Sequence, residues 1–175
     1  MNAAALPAPA LRPFLASDAP LLAQIFRDSI AELTGDDYDE AQQAAWIDRA
    51  EDEDAFARHL AGQLTLIATI AGAPVGFISV KGLDHIDMLY VHPSMAHSGI
   101  GSMLYTAVET LTRGRGATHL AVDASDTAQA FFQKRGFLAL HRQTVALGDV
   151  WLGNTYMHKR FDSDDPLRTP QGPTQ

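Results

Sequence analysis

Two groups of residues near the middle of the chain have types and spacings that can do chemistry. His85 and Asp87 stand two apart in the run His85-Ile86-Asp87-Met88-Leu89-Tyr90-Val91. Such a run reads as a strand, and a period of two puts His85, Asp87 and Leu89 on one face. An imidazole titrates near neutral pH and a neighbouring carboxylate adjusts it, so the pair is a candidate for taking a proton. The second group is His97-Ser98-Gly99-Ile100-Gly101-Ser102, which follows a turn at Pro93 and opens an amphipathic run. Two glycines at a helix mouth let backbone amides approach a ligand with no side chain in the way. The unsatisfied N–H groups and the dipole of the helix start then favour an anion, most often a phosphate.

Two familiar phosphate loops do not fit. A nucleoside triphosphate loop requires Lys and then Ser or Thr after its second glycine. Here Gly101 is followed by Ser102 and Met103. A dinucleotide fingerprint requires a third glycine three residues on, where this chain has Leu104. Taken alone, two such glycines are more often a helix-capping turn than a phosphate loop.

A second segment adds weight. Ser125-Asp126-Thr127-Ala128-Gln129-Ala130-Phe131-Phe132-Gln133-Lys134-Arg135-Gly136-Phe137 follows the strand-like 117–122. The two segments together resemble the cofactor-binding core of the GNAT N-acetyltransferase superfamily. That family carries Gln/Arg-x-x-Gly-x-Gly/Ala after a strand ending like Leu-Tyr-Val-x-Pro, then Asn-x-x-Ala-x-x-Phe-Tyr and Gly-Phe. The first motif falls here on Ala96-His97-Ser98-Gly99-Ile100-Gly101. The second falls on Ser125, Ala128, Phe131 and Phe132, completed by Gly136-Phe137. The resemblance spans roughly residues 11 to 161. Three departures stand out: Ala96 for Gln or Arg, Ser125 for Asn, and Phe132 for the Tyr that often serves as general acid.

The resemblance implies an acetyl-CoA-dependent N-acetyltransferase, an acyltransferase acting by direct transfer in a ternary complex, with no metal. It implies that the amides of His97, Ser98, Gly99, Ile100, Gly101 and Ser102 hold the pyrophosphate. It implies that Leu89, Tyr90 and Val91 form an open strand edge that pairs with the peptide-like arm of coenzyme A. The same strand would support the thioester oxygen as charge develops on it. Ser125, Phe131, Phe132 and Lys134 would line the other wall, although the two phenylalanines fit core packing equally well. The family often has Glu at the position of His85, so His85 is the candidate base and Asp87 the second; a structural role competes for His85. Tyr38 and Trp46 lie in the region that the family uses for the acceptor, while ordinary helix packing competes for Trp46. The partner implied is a small-molecule or peptide amine. Phe132 also leaves open a non-catalytic acyl-CoA-binding or regulatory domain. Transfer of a larger acyl group is a further alternative.

The composition bounds these readings. At 175 residues the chain fits one domain with a sizeable core. A hydrophobic fraction of 46% and a charged fraction of 19% are those of a globular protein. With no cysteine, disulfides, thiolate catalysis and cysteine–metal sites are excluded. The remaining histidines have no metal-ligand spacing. A net charge of −8 argues against a nucleic-acid partner. No apolar run approaches a membrane span and no signal-peptide pattern opens the chain, so the expectation is cytoplasmic, as a monomer or homodimer. Much of the acidity crowds 36–54, including Asp36, Asp37, Asp39, Glu40, Asp48, Glu51, Asp52, Glu53 and Asp54. This is either a solvated face with acidic helix starts or a lure for a cationic acceptor.

The elements that must position these residues follow from periodicity and breakers. Residues 1–10 and 162–175 read as flexible tails around a domain at 11–161. Strands are expected at 11–15, 64–70, 74–80, 84–91, 118–123, 137–147 and 150–161. Helical segments are expected from about 17 to 34, at 39–47, 52–61, 99–113 and 127–135. Leu22, Ile25, Phe26, Ile30 and Leu33 form the first helix's apolar stripe, and Leu104, Val108 and Leu111 face inward from the fourth. Written as βααβββαβαββ, the order gives an α/β fold: a mixed, mostly antiparallel central sheet with helices on both faces. The resemblance implies this same GNAT-like acyl-CoA N-acyltransferase fold, with the fourth and fifth strands splayed to admit the cofactor.

Overall fold

The computed structural model describes residues 5 and 7–161. The expected tail at 162–175 lies outside the described residues, as do 1–4 and 6 of the N-terminal one. The elements run β1 (Ala10–Pro13), α1 (Ala19–Leu33), α2 (Glu40–Ile47), α3 (Glu53–Ala61), β2 (Leu64–Ile70), β3 (Ala73–Lys81), β4 (His85–Val91), α4 (Ile100–Gly114), β5 (His119–Ser125), α5 (Gln129–Gln133), β6 (Leu138–Leu147) and β7 (Val150–Arg160). Three separate α-helices precede β2, one more than the order written from the sequence. The acidic stretch is the reason for the division. Asp39 Oδ1 accepts from the Gln42 amide and starts α2, and Asp52 Oδ1 accepts from the Ala55 amide and starts α3.

The seven strands form one sheet in the order β1-β2-β3-β4-β5-β7-β6. Every neighbouring pair is antiparallel except β4 and β5. Helices α1, α2 and α3 cover one face, where Phe26, Ile30, Trp46, Phe56 and Leu60 bury against Ile67, Phe77 and Met88. On the opposite face α4 buries Ile100, Leu104, Tyr105 and Val108 against Leu66, Ile78, Val80, Leu120 and Val122, with Phe132 of α5 beside them. Two stripe positions differ from expectation. Leu33 and Leu111 are exposed, and Thr34 and Thr112 take the buried places beside them. Each threonine hydroxyl donates to the carbonyl four residues back, which satisfies it inside the core.

A bulge in β4 changes which side chains share a face. Val80 pairs with Ile86 but Ser79 pairs with Met88, so Asp87 is an extra residue. Beyond it, Met88 and Tyr90 belong to the core under α1–α3, and Leu89 and Val91 to the core under α4. Leu89 therefore does not share a face with Asp87, contrary to a strict period of two.

Phe77 is fully buried and packs edge-on to Phe56 and 5.8 Å from Tyr90 between ring centroids. It supports the stretch of β4 that the bulge reorients. Phe77→Ala should cost about 3–5 kcal/mol in guanidinium unfolding; a loss well under 1 kcal/mol would show that this face collapses without harm.

Candidate active site

The parallel pair β4/β5 is joined at only two positions, His85 with Ala121 and Ile86 with Val122. Past Ile86 the strands diverge, and β4 from the bulge to Val91 has no strand partner on that side among the described residues. A cleft of about 270 Å³ opens there, lined by both strands, by Tyr38 and Trp46, by Phe132 and by the start of β7. A split sheet leaves backbone groups of β4 available to an extended ligand, as an edge strand does.

At the end of β4 the chain turns through Pro93–Met95 and reaches α4. His97 and Gly99 both have left-handed backbones, with φ of 59° and 90°. A positive φ on a non-glycine residue is uncommon and concentrates where the surroundings force it. Gly99 is the N-cap, and the first bond into the helix runs from the Met103 amide to the Gly99 carbonyl, 3.0 Å. The amides of Gly99, Ile100, Gly101 and Ser102 thus have no carbonyl within the helix. A Cβ at Gly101 would sit 3.3 Å from the Phe131 ring, a tight contact that a glycine avoids. The Ser98 amide is already committed to the Met95 carbonyl, and the Ser102 hydroxyl accepts from Arg135.

Arg135 is a residue that sequence reasoning passed over. Its guanidinium lies 3.4 Å from the centroid of the Phe131 ring and donates to the Phe131 carbonyl at 2.7 Å. Lys134 is exposed, and Arg135 is the cation set on the glycine loop. The four-residue spacing from Phe131 was the available signal. Phe131 packs on this loop, while Phe132 is 2% exposed in an aromatic cluster with Tyr105 and Phe137 and shows its edge to the cleft. The Ser125 hydroxyl accepts from the Ala128 amide at 3.1 Å and so shapes the turn into α5.

His85 and Asp87 both line the cleft, but each has a different partner from the one their spacing suggests. His85 Nε2 is 3.3 Å from Asp123 Oδ2 across the β4/β5 junction. Asp123 Oδ1 in turn accepts from Gln143 Nε2 at 2.7 Å. Asp87 Oδ2 lies 2.6 Å from His59 Nε2 and accepts from Gln63 Nε2 at 3.1 Å. Both partners come from α3 and the residues just past it, and no sequence spacing announces a contact between distant elements. The bulge is what turns Asp87 toward α3.

Tyr38 and Trp46 close the opposite wall. Their rings meet edge-on at 5.3 Å, and Trp46 Nε1 donates to the Tyr90 hydroxyl at 3.2 Å. The Tyr38 hydroxyl donates to the Gly153 carbonyl at 2.7 Å and accepts from the Asp126 amide at 2.9 Å, tying the α1–α2 turn to β7 and to the β5–α5 loop. Burial pushes the pKa of both phenols up, Tyr90 well above the ordinary range. At Tyr90 the Trp46 hydrogen bond and Arg49 act the other way, and Asp87 adds to the rise. Both phenols are therefore neutral hydrogen-bonding groups at physiological pH. Of the acidic stretch 36–54, no carboxylate lines this cleft. Besides the two caps, Asp37 accepts from the Thr127 hydroxyl and Glu53 meets Arg27. Asp37, Asp39, Asp52 and Glu53 thus have structural partners.

An open mixed sheet, split between its only parallel pair and closed by a glycine-bearing helix start, defines an acetyltransferase fold of the acyl-CoA type. A family model described as "Acetyltransferase (GNAT) domain" matches residues 34–153. The chain is 33% identical over 148 residues to the uncharacterized N-acetyltransferase YafP of Escherichia coli K12, covering 84% of this chain and 93% of that protein. Its structure superposes with a TM-score of 0.86 on the GCN5-related N-acetyltransferase crystal structure from Rhodopseudomonas palustris, at 53% identity over 91% of this chain and 99% of that one. The PaiA N-acetyltransferase of Thermoplasma acidophilum, solved in complex with coenzyme A, shares the fold at a TM-score of 0.73 and 19% identity, over 88% and 99% of the two chains. The chain belongs to the GNAT acetyltransferase family and is an acyltransferase. No helix among the described residues is long and apolar enough to cross a membrane.

A Cβ added at Gly99 would meet nothing within 4 Å, so its requirement for glycine is purely conformational. Gly99→Ala should cost about 1–2 kcal/mol from the left-handed backbone alone, read by thermal or chemical unfolding. An unchanged stability would mean that the loop relaxes out of this conformation.

Proposed function

We propose that the protein moves the acetyl group of acetyl-CoA to an amine by direct transfer in a ternary complex. The observation that carries this is the divergence of β4 and β5 after two paired positions, with His85 at the junction and the glycine-bearing start of α4 at the far end of β4. The free amides of Gly99 to Ser102, with Arg135 alongside, suit the pyrophosphate. The unpaired side of Leu89, Tyr90 and Val91 suits the amide arm. His97, Ser98, Ser125 and Phe131 shape this wall more than they bind. The cytoplasm is the proposed setting.

The ammonium first gives one proton to a base; the amine nitrogen so freed forms a C–N bond as the C–S bond breaks, and it loses a second proton as the departing thiolate gains one. The base proposed is His85. With Nε2 directed at Asp123, its Nδ1 is the nitrogen left to take the proton, and Asp123 faces the charge that results. Asp87 is held by His59 and Gln63, which suits it to binding the incoming ammonium rather than to orienting His85. Phe132 has no proton to give, so the thiolate is proposed to draw its proton from solvent or from a tyrosine hydroxyl in the cleft.

Release of free thiol from acetyl-CoA, with and without a panel of amines, tests the activity. In that assay His85→Gln should lower turnover by about 10²–10⁴ near neutral pH, with partial recovery at high pH where free amine is abundant. Affinity for acetyl-CoA should stay within about twofold, well inside the 1.4 kcal/mol that a tenfold change represents. Wild-type turnover with the same acidic limb in the pH–rate profile would remove His85 from the role.

A further inference from the structure

The acceptor end of the cleft holds two groups that the transfer itself does not use. Arg49, just past α2, lines the cleft and makes no ion pair or hydrogen bond with the described residues. A guanidinium left without a carboxylate beside a ligand cleft is a fork suited to planar, bidentate recognition of one. Asn154 of β7 lines the same cleft, and its Oδ1 is buried with no hydrogen-bond partner. A buried amide oxygen left unpaired costs stability, roughly 1–3 kcal/mol, unless a donor arrives. The cavity thus has an exposed guanidinium with no carboxylate partner on its rim and a buried acceptor atom without an N–H in its wall.

The remaining wall restricts the ligand further. Trp46, Leu147 and Leu152 are apolar, and the cavity of about 270 Å³ must also admit the acetyl end of the co-substrate. A peptide chain terminus lacks an α-carboxylate on the reacting residue, and a simple alkylamine gives Arg49 nothing to bind. Arg49 and Asp87 both act on the Tyr90 hydroxyl, in opposite senses, which places opposite charges around one point of the cleft. That is the pattern a zwitterion complements.

We infer that the acceptor is a free α-amino acid with an apolar side chain, its carboxylate held by Arg49 and its amine presented to His85 beside Asn154. This rests on the N-acetyltransferase reading for its chemistry but not for its binding. The acidic stretch 36–54 does not oppose it, since none of its carboxylates lines the cleft.

The test compares L-methionine and L-phenylalanine with their carboxamides by calorimetry on the full chain, with and without saturating coenzyme A. The acid should bind at least about tenfold more tightly than its amide, a difference of about 1.4 kcal/mol. Arg49→Ala should bring the acid down to the level of the amide and leave the amide within about twofold; Arg49→Lys should restore part of the preference. In turnover assays the KM for the acid should rise by about the same factor in Arg49→Ala. Equal binding of acid and amide, absence of binding by either acid, or a preference that survives Arg49→Ala would overturn the inference. Arg49-dependent binding of the acid with no thiol released from acetyl-CoA would uphold the carboxylate site and overturn the amino acid's role as acceptor.

Discussion

The site depends on where β4 and β5 stop pairing. Parallel strands ordinarily continue side by side, because each unpaired N–H and C=O facing another element must find a partner or water. Here the pairing ends at Ile86, and the rest of the molecule is arranged to hold the gap open. The bulge at Asp87 alters the twist of β4 where it leaves β5. Asp87 is anchored sideways to His59 and Gln63, so the bulge is held by α3. On the other side β5 is secured along its whole length by β7, from His119 with Arg160 to Ser125 with Asn154. Neither strand can swing back without breaking contacts that belong to another layer.

This arrangement separates tasks by position along the split. Near the junction are the titratable groups, His85 with Asp123 and Asp87 with His59. At the far end are backbone groups, the amides at the start of α4, where net charge matters less than geometry. A protein with a net charge of −8 can therefore present a local anion site. The cleft wall that carries Tyr38 and Trp46 is held by hydrogen bonds between distant elements: Tyr38 to Gly153 and Asp126, Trp46 to Tyr90. Arg142, bidentate on Asp126, steadies the same corner, and a side chain at Gly153 would collide with it.

Much of this was legible in the sequence. The strands and helices, the mixed sheet and the glycine-bearing helix start follow from periodicity and from breakers such as Pro93, Gly99 and Gly136. Tyr38, Trp46, His85 and Asp87 were all placed on the cleft's lining. What stayed hidden has one physical cause. Period-two reasoning assumes an unbroken ladder, and a bulge is a property of a strand pair, not of one strand, so the switch at Asp87 left no local mark. The partners His59, Gln63 and Asp123 are long-range contacts for the same reason. The acidic stretch was ambiguous in another way: a carboxylate that caps a helix and one that steers a ligand look alike until the helix start is seen. Arg49, embedded among those acids, reads as one more surface charge in sequence and is turned to the cleft only by the turn after α2.

The central claim is that the unpaired side of β4 and the start of α4 form one binding surface for acetyl-CoA. Amide hydrogen exchange of the free and acetyl-CoA-saturated protein, resolved by segment, tests it most directly. The account predicts that exchange slows together in 87–91 and in 97–102 on addition of acetyl-CoA, while β1 and β2 at the far edge of the sheet keep their free rates. Slowing confined to other segments, or no change in either of these two, would contradict it.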